Sequence, residues 1–323
     1  MKAIVVSEYG GPEVLKIEER PDPVAGPGEI VVRLHATGVN PVETYQRSGS
    51  QGYQGKLPFT PGADGAGEVV TAGADVTGFA PGDRVYVSGS ITGTYAQQCL
   101  CSADQVNHLP ESLSYEEGAC LWINYGTAYR ALFQRGGARA GERVLIHGAT
   151  GGVGIAAVQW ARHAGLEVLG TFGSAAGEQL LAAEGVERLF NHHEDGYLDA
   201  IAGATDGAAG SGIDLVVEML ANVNLEADLD LLARGGRVVI VGSRGSIEIT
   251  PRKLMGREAD VRGLMLYGST PDERREIHAS IAAAGRAGSL RPVIQRSLPL
   301  AEAAEAHRAV MEDPSHGKIV LVP

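Results

Sequence analysis

At 323 residues, with hydrophobic side chains making up 44% of the total, the chain is long enough to bury two cores, and two domains are the expectation. Its formal net charge of −12 (39 acidic against 27 basic residues), with no visible stripe of Lys and Arg, argues against nucleic acid or anionic lipid as a main partner. No apolar run reaches the ~18 residues of a membrane span, no leader pattern opens the sequence, and three cysteines (Cys99, Cys101, Cys120) read as reduced thiols of a cytoplasmic protein.

From Met1 to about Leu121, short β-branched runs alternate with Gly and Pro: Ala3–Val6, Glu29–His35, Gly67–Ala72, Arg84–Ser88 and Tyr95–Leu100. This predicts a β-rich domain. From about Ala138 the texture becomes apolar strands alternating with helices: Arg143–His147, a helix to Ala164, Glu167–Thr171, Ile213–Glu218, a helix over Leu225–Ala233 stopped by Arg234-Gly235, and Arg237–Val241. Such alternation predicts a parallel sheet with flanking helices, an α/β doubly wound domain. A strand over Val261–Leu266, helices over Pro271–Ala284 and Leu300–Met311, and a strand over Lys318–Val322 complete the chain, the tail packing back on the N-terminal domain. The expected domains are residues 1–123 with 267–323, and residues 124–266. Gly203–Gly212 reads as a flexible surface connection.

The most informative segment runs from the strand Arg143–His147 through Gly148-Ala149-Thr150-Gly151-Gly152-Val153-Gly154 into a helix. Residues without bulk let backbone approach a pyrophosphate, whose charge meets the unpaired N–H groups of the helix start, so Thr150, Gly151, Gly152 and Val153 are candidate dinucleotide contacts. NAD sites usually place an acid at the end of the next strand for the ribose 2′-hydroxyl. Here the chain reads Val168-Leu-Gly-Thr-Phe-Gly-Ser174, without an acid, which points to NADPH. Gly173, Ser174 and His192 are the candidates beside a 2′-phosphate; equally, Ser174 caps a turn and His192 is a solvated loop histidine.

Gly38-Val-Asn-Pro-Val-Glu-Thr-Tyr-Gln-Arg-Ser-Gly49, Thr60-Pro-Gly62, Gly82-Asp-Arg-Val85, Gly126-Thr-Ala-Tyr-Arg-Ala-Leu132, Glu218-Met-Leu-Ala-Asn-Val-Asn224 and Val241-Gly-Ser-Arg-Gly245 together resemble the medium-chain dehydrogenase/reductase superfamily, and within it the zeta-crystallin type of quinone oxidoreductase. The resemblance spans nearly the whole chain. It implies a GroES-like catalytic domain, a Rossmann domain, NADPH, and a cleft between them for nicotinamide and substrate. It also implies cofactor contacts from Thr127, Asn224 and the turn Val241, Gly242, Ser243 and Arg244, with Leu264, Met265 and Leu266 flanking the nicotinamide. Arg244 reads equally as a phosphate ligand or a surface charge. Glu218 reads as structural. Trp122, Ile123 and Tyr125 fall on the implied substrate wall, bulkier than the family pattern. The family pairs edge strands of its Rossmann sheets, so a homodimer through Val261–Leu266 is expected.

Zinc-dependent relatives hold a metal with Cys and His, but Asn40 and Ala63 stand at those positions, and no metal is expected. A quinone needs less Lewis-acid help than a simple ketone. A hydrogen bond to the oxygen that gains charge supplies the rest. Tyr45 is the first donor candidate, since a phenol of ordinary pKa, about 10, keeps its proton at neutral pH, and Asn40 is the second; a Tyr in a glycine-flanked loop also serves simply to cover cofactor. The expected partner is a small quinone or enone. Reduction of the carbon–carbon double bond in enals or enoyl thioesters, and a non-catalytic NADPH- or RNA-binding crystallin-like protein, are the competing readings.

Overall fold

The computed structural model describes residues 1–50, 52–205 and 211–323. They form two compact units, Met1–Ile123 with Ser280–Pro323, and Asn124–Ala279. Strands and helices are numbered along the chain.

In the first unit, β1 (Lys2–Val5) and β2 (Lys16–Glu19) form an antiparallel pair. A larger sheet is built from β3 (Glu29–Val39), β4 (Asp64–Ala72), β5 (Arg84–Ser88), β6 (Gln98–Ser102), β7 (Val106–His108), β14 (Ile294–Pro299) and β15 (Lys318–Val322). Its order is β14-β15-β3-β4-β5-β7, with β6 also pairing β3. Alternate residues of each strand point to one face, so Ile30, Val32 and Leu34 of β3 meet Val69, Val85, Val87 and the two buried thiols Cys99 and Cys101 in one core. Val39, Tyr95, Ile319 and Leu321 form a second core with α10 (Ala303–Glu312).

Tyr45 lies on a helix, α1 (Pro41–Ser48), and not in a loop. Proline at the first helical position loses no hydrogen bond that the helix would have made, and Gly49, at φ 66°, ends it in the left-handed conformation that side chains resist. The same Pro and Gly that suggested a loop are the punctuation of a short helix. A second short helix, α2 (Tyr115–Gly118), starts at Ser114, whose hydroxyl accepts the Glu117 N–H.

In the second unit, β8 (Arg143–Ile146), β9 (Glu167–Phe172), β10 (Arg188–Asn191), β11 (Ile213–Glu218), β12 (Leu232–Ile240) and β13 (Asp260–Gly263) form one parallel sheet, ordered β10-β9-β8-β11-β12-β13. Counted from β8 this is 3-2-1-4-5-6, the doubly wound Rossmann order, whose ligands bind at the strand ends where the order reverses. The helices are α3 (Thr127–Tyr129), α4 (Gly152–His163), α5 (Ala175–Ala183), α6 (Tyr197–Thr205), α7 (Ala221–Leu231), α8 (Pro251–Arg257) and the part of α9 (Pro271–Arg286) up to Ala279.

Three sequence expectations shift. The helix expected to run to Ala233 stops at Leu231, because Leu231 and Leu232 are drawn into the core and Leu232 pairs with Ile213. Gly235 does take a left-handed φ of 74°, but within β12, at an irregularity in register between Leu232 and Arg237. The strand expected over Val261–Leu266 ends at Gly263, and Leu266 opens a 3₁₀ turn. The unit then continues to Ala279, since Glu273 pairs with Arg130 at 2.9 Å and Glu276 accepts the Tyr129 hydroxyl at 3.0 Å. Of the Gly203–Gly212 connection, residues 203–205 finish α6, and residues 206–210 lie outside the described residues.

Candidate active site

The glycine turn joins β8 to α4 at the reversal point of the parallel sheet. Its first residue is pinned by Thr171, whose hydroxyl accepts the Gly148 N–H at 2.9 Å and whose carbonyl accepts the Ala149 N–H at 3.0 Å. No side chain caps α4, so the N–H groups of Gly152 and Val153 are left for an external acceptor, at the positive end of the helix. A Cβ on Gly154 would meet the Gly148 carbonyl oxygen at 2.3 Å, and one on Gly152 would meet the Asn124 amide at the same distance. The residues therefore fit a dinucleotide phosphate: the turn is stripped of bulk, with Thr150 tucked in beneath it.

At the end of β9, Ser174 caps α5, its hydroxyl accepting the Gly177 N–H at 3.1 Å. A Cβ on Gly173 would touch Nε2 of both His192 and His193, at 2.8 and 3.0 Å. The exposed histidine pair therefore lies over Gly173. Burial, then the neighbouring His193, hold the His192 imidazole below its ordinary range, leaving it neutral at pH 7. The described residues place no carboxylate on Gly173.

Beneath the turns after β8, β11 and β12 lies a buried cluster that the sequence did not reveal: His147, Glu218 and Asp228. His147 Nε2 is 2.8 Å from Asp228 Oδ1 and 3.6 Å from Glu218 Oε2. Glu218 accepts the Leu220 N–H and the side-chain amide of Asn224, the latter at 3.2 and 3.3 Å, while its backbone carbonyl takes the Val241 N–H at 2.8 Å. Asn224 and Val241 are thus both set by Glu218. The ligand atoms of His147, Glu218 and Asp228 fall within 4.8 Å of one another, but 2.8 Å between His147 and Asp228 is hydrogen-bond spacing, shorter than two ligands about 2.1 Å from one ion would adopt.

Of the remaining candidates, Thr127 is buried on α3, Gly242 packs on the Met219 backbone, and Ser243 and Arg244 are exposed, Arg244 donating its N–H to Asn222 at 2.7 Å. Leu264 donates its N–H to the Ile240 carbonyl at 3.0 Å, Met265 is exposed and Leu266 is buried. Trp122 and Tyr125 are buried as well; Tyr125 donates to Gln159 at 2.8 Å and meets Trp160 edge-on, so it serves the core, and Ile123 alone of that expected wall is partly exposed.

In the first unit, Asn40 is 2% exposed, and Asp64 and Lys318 are buried beside it. The Lys318 ammonium donates to Asn40 Oδ1 and, at 3.0 Å, to Asp64 Oδ2; Asn40 Nδ2 donates to Asp64 Oδ2 and Glu43 Oε1, each at 3.0 Å. Both amide protons are thereby committed, which corrects the expectation that Asn40 offers a donor to substrate: it is a spacer between two carboxyls and a cation. The chain of contacts continues from Glu43 to the Tyr95 hydroxyl at 3.3 Å and on to His307 at 3.2 Å. Burial pushes Glu43 up to about 7 against the pull of Lys318, and burial pushes His307 down to about 3. Tyr45, one turn further along α1, is half-buried; its ring faces Tyr53 at 6.2 Å, and its hydroxyl takes no hydrogen bond among the described residues.

Two family models divide the chain: the alcohol dehydrogenase GroES-like domain matches residues 26–128 and the zinc-binding dehydrogenase model matches residues 152–283. The quinone oxidoreductase of Homo sapiens is 45% identical over 100% of this chain and 98% of its own length. The chain belongs to the zeta-crystallin-like quinone oxidoreductases of the medium-chain dehydrogenase/reductase family. Among solved structures, a mycobacterial protein complexed with NADPH superposes with a TM-score of 0.90 at 29% identity, covering 100% of both chains. A quinone oxidoreductase of Pseudomonas syringae pv. tomato gives 0.89 at 29%, covering 100% of this chain and 99% of that one.

The zinc in the name of the second family model does not suit these residues. Asn40 and Ala63 offer no thiolate or imidazole, and a zinc ion there would face the ammonium of Lys318. Cys120, whose thiol feels Lys318 and Asp64, is held protonated by burial and donates to the Glu116 carbonyl at 3.2 Å.

Proposed function

We propose that this zeta-crystallin-like reductase passes reducing equivalents from NADPH to quinones without a metal ion. The observation that carries the reading is the 45% identity to a quinone oxidoreductase along the whole chain. The glycine turn, Asn224 and the Val241–Arg244 turn would hold the dinucleotide, and Gly173, Ser174 and His192 its 2′-phosphate. NADPH, when bound, supplies the hydride.

The protein's own contribution is electrostatic and geometric. The first turn of α4 meets the pyrophosphate charge with N–H groups already fixed by the fold, so nothing has to reorganise on binding. The end of β9 presents no carboxylate to repel a 2′-phosphate. As a quinone oxygen gains negative charge, the free Tyr45 hydroxyl donates a hydrogen bond to it. One such neutral bond is worth about 0.5–1.5 kcal/mol. Tyr45→Phe is therefore expected to lower kcat/KM for quinones roughly 3- to 10-fold with folding intact; unchanged turnover across a quinone series removes Tyr45 from this role.

The overall reading is tested by a substrate panel. Rapid NADPH oxidation is expected with ortho- and para-quinones, slower oxidation with 2-alkenals, and the reverse order would replace quinone reduction by double-bond reduction. Titration of NADPH and NADH in one buffer is expected to favour NADPH, and preference for NADH would overturn the inference from the missing acid at β9. RNA binding at physiological salt without turnover would point to a non-catalytic protein.

A cytoplasmic setting is part of the proposal and fits three buried free thiols; no described helix is long and apolar enough to cross a membrane. So is a homodimer through β13, which pairs with β12 on one side and leaves its other edge open, next to Met265 and Tyr267, 57% and 50% exposed. Light scattering at micromolar concentration is expected to give twice the chain mass of 33.7 kDa, and a monomer mass would refute the dimer.

A further inference from the structure

We propose that His147, Glu218 and Asp228 are positioning residues that hold one shared proton beneath the dinucleotide turns, and that cofactor binding draws this proton in from solvent. The inference rests on the NADPH reading above. All three side chains are buried. A protonated His147 and an ionised Asp228, 2.8 Å apart, cancel. Burial alone would lower His147, but the Asp228 hydrogen bond and the two carboxylates outweigh it and hold the imidazole above its ordinary range. Glu218 then decides the net charge: zero with its proton, −1 without.

The structure has a place for that proton. Asp228 Oδ2 is buried and accepts no hydrogen bond from the protein, and a carboxylate oxygen of Glu218 lies within 4.8 Å of one of Asp228. An orphaned buried acceptor costs about 1–3 kcal/mol, so a carboxyl O–H from Glu218 to Asp228 relieves it. In that state Glu218 still accepts from Leu220 N–H and from the Asn224 amide. Burial pushes Glu218 up to about 7, with His147 pulling against it, so the proton is exchanged near neutral pH.

The cluster reaches the cofactor edge at three points. His147 precedes Gly148 of the phosphate turn, Glu218 anchors Asn224 on α7, and the Glu218 carbonyl holds the Val241 turn. A net negative charge there, in a low-dielectric interior, opposes an anionic dinucleotide. Binding therefore favours the protonated cluster, and by linkage a state that holds the proton more tightly when cofactor is bound loses affinity as pH rises. The other titratable groups facing the cluster are Tyr197 from α6, which feels both carboxylates, and His192 after β10, which feels His147 and touches His193. His192 acts in the same direction through a 2′-phosphate, so NADH, which has none, separates the two effects.

The test is calorimetric titration of NADPH and of NADH into the full-length protein, in two buffers of different ionisation heat, across neutral pH. The unsubstituted protein is expected to take up a fraction of a proton with both cofactors, and its affinity to fall by up to about tenfold per pH unit above the transition. Glu218→Gln, neutral at every pH, is expected to lose the uptake with NADH and to bind NADH with a flat pH profile. Asp228→Asn, which removes the other half of the shared proton, is expected to do the same and covers the case in which Glu218→Gln does not fold. Undiminished proton uptake in either folded variant overturns the proposal. Failure of the unsubstituted protein to bind NADPH at all would instead overturn the functional reading on which it stands.

Discussion

Gly154→Ala is expected to lose most of its affinity for NADPH while the β-rich unit stays folded. The added Cβ would lie 2.3 Å from the Gly148 carbonyl oxygen and 2.7 Å from both the carbonyl carbon and Cα of Ala149. All three are backbone atoms of the phosphate turn itself, so no side chain can swing away and the turn must open. Overpacking of this kind costs about 1–3 kcal/mol. If the turn absorbs that cost on binding, affinity falls roughly 5- to 150-fold. Gly203→Ala is the control: it lies on α6 with nothing within 4 Å of its added Cβ, and alanine there should slightly favour the helix. Equal NADPH affinity in Gly154→Ala and the unsubstituted protein, by fluorescence titration, would sink this account of the turn.

Lys318→Met is expected to destabilise the first unit by about 3–5 kcal/mol, the usual consequence of removing one partner from a buried ion pair. Asp64 would keep its Ile123 N–H at 2.9 Å and its Asn40 amide, but no cation would remain beside it, and Glu43 would lose the charge that pulls its pKa down from above. The double variant Lys318→Met with Asp64→Asn removes both charges and should recover more than ~1 kcal/mol of that loss. Trp122 is in this unit and Trp160 in the other, so urea unfolding followed by Trp122 fluorescence in a Trp160→Phe background reads the right part of the chain. A loss under ~1 kcal/mol in the single variant would mean that water or a shifted proton already neutralises the site.

Both predictions bear on how far the sequence can be read. The glycine turn was legible because its requirements are mostly local: strand, turn and helix follow each other within 25 residues, and Gly154 answers a steric demand of Gly148 and Ala149 in the turn itself. The parallel sheet followed from strand and helix alternation, and the return of Lys318–Val322 to the N-terminal unit from a tail too short to stand alone. What stayed hidden depends on partners far apart in the chain. Lys318 opens an apolar strand and looks like a solvated end; only its contact with Asn40, 278 residues away, makes it a buried cation. Asp228 is one of three acids on α7, the one that is buried among its leucines, and its partner His147 is 81 residues earlier. Asn40 stands where the resemblance puts a metal ligand, but the commitment of both its amide protons is visible only in three dimensions. The one available signal was an acid on an otherwise buried helical face, which periodicity alone would have flagged.

β15 gives the N-terminal unit both its cation and the neighbour of β3. On a ribosome the stretch 1–123 emerges first, with Asp64 and Glu43 but without Lys318, while residues 124–279 are still to be made. In order of synthesis, the residues of the nucleotide-binding half are all made before residues 318–322, which the half that holds Tyr45 needs beside β3 to complete its sheet.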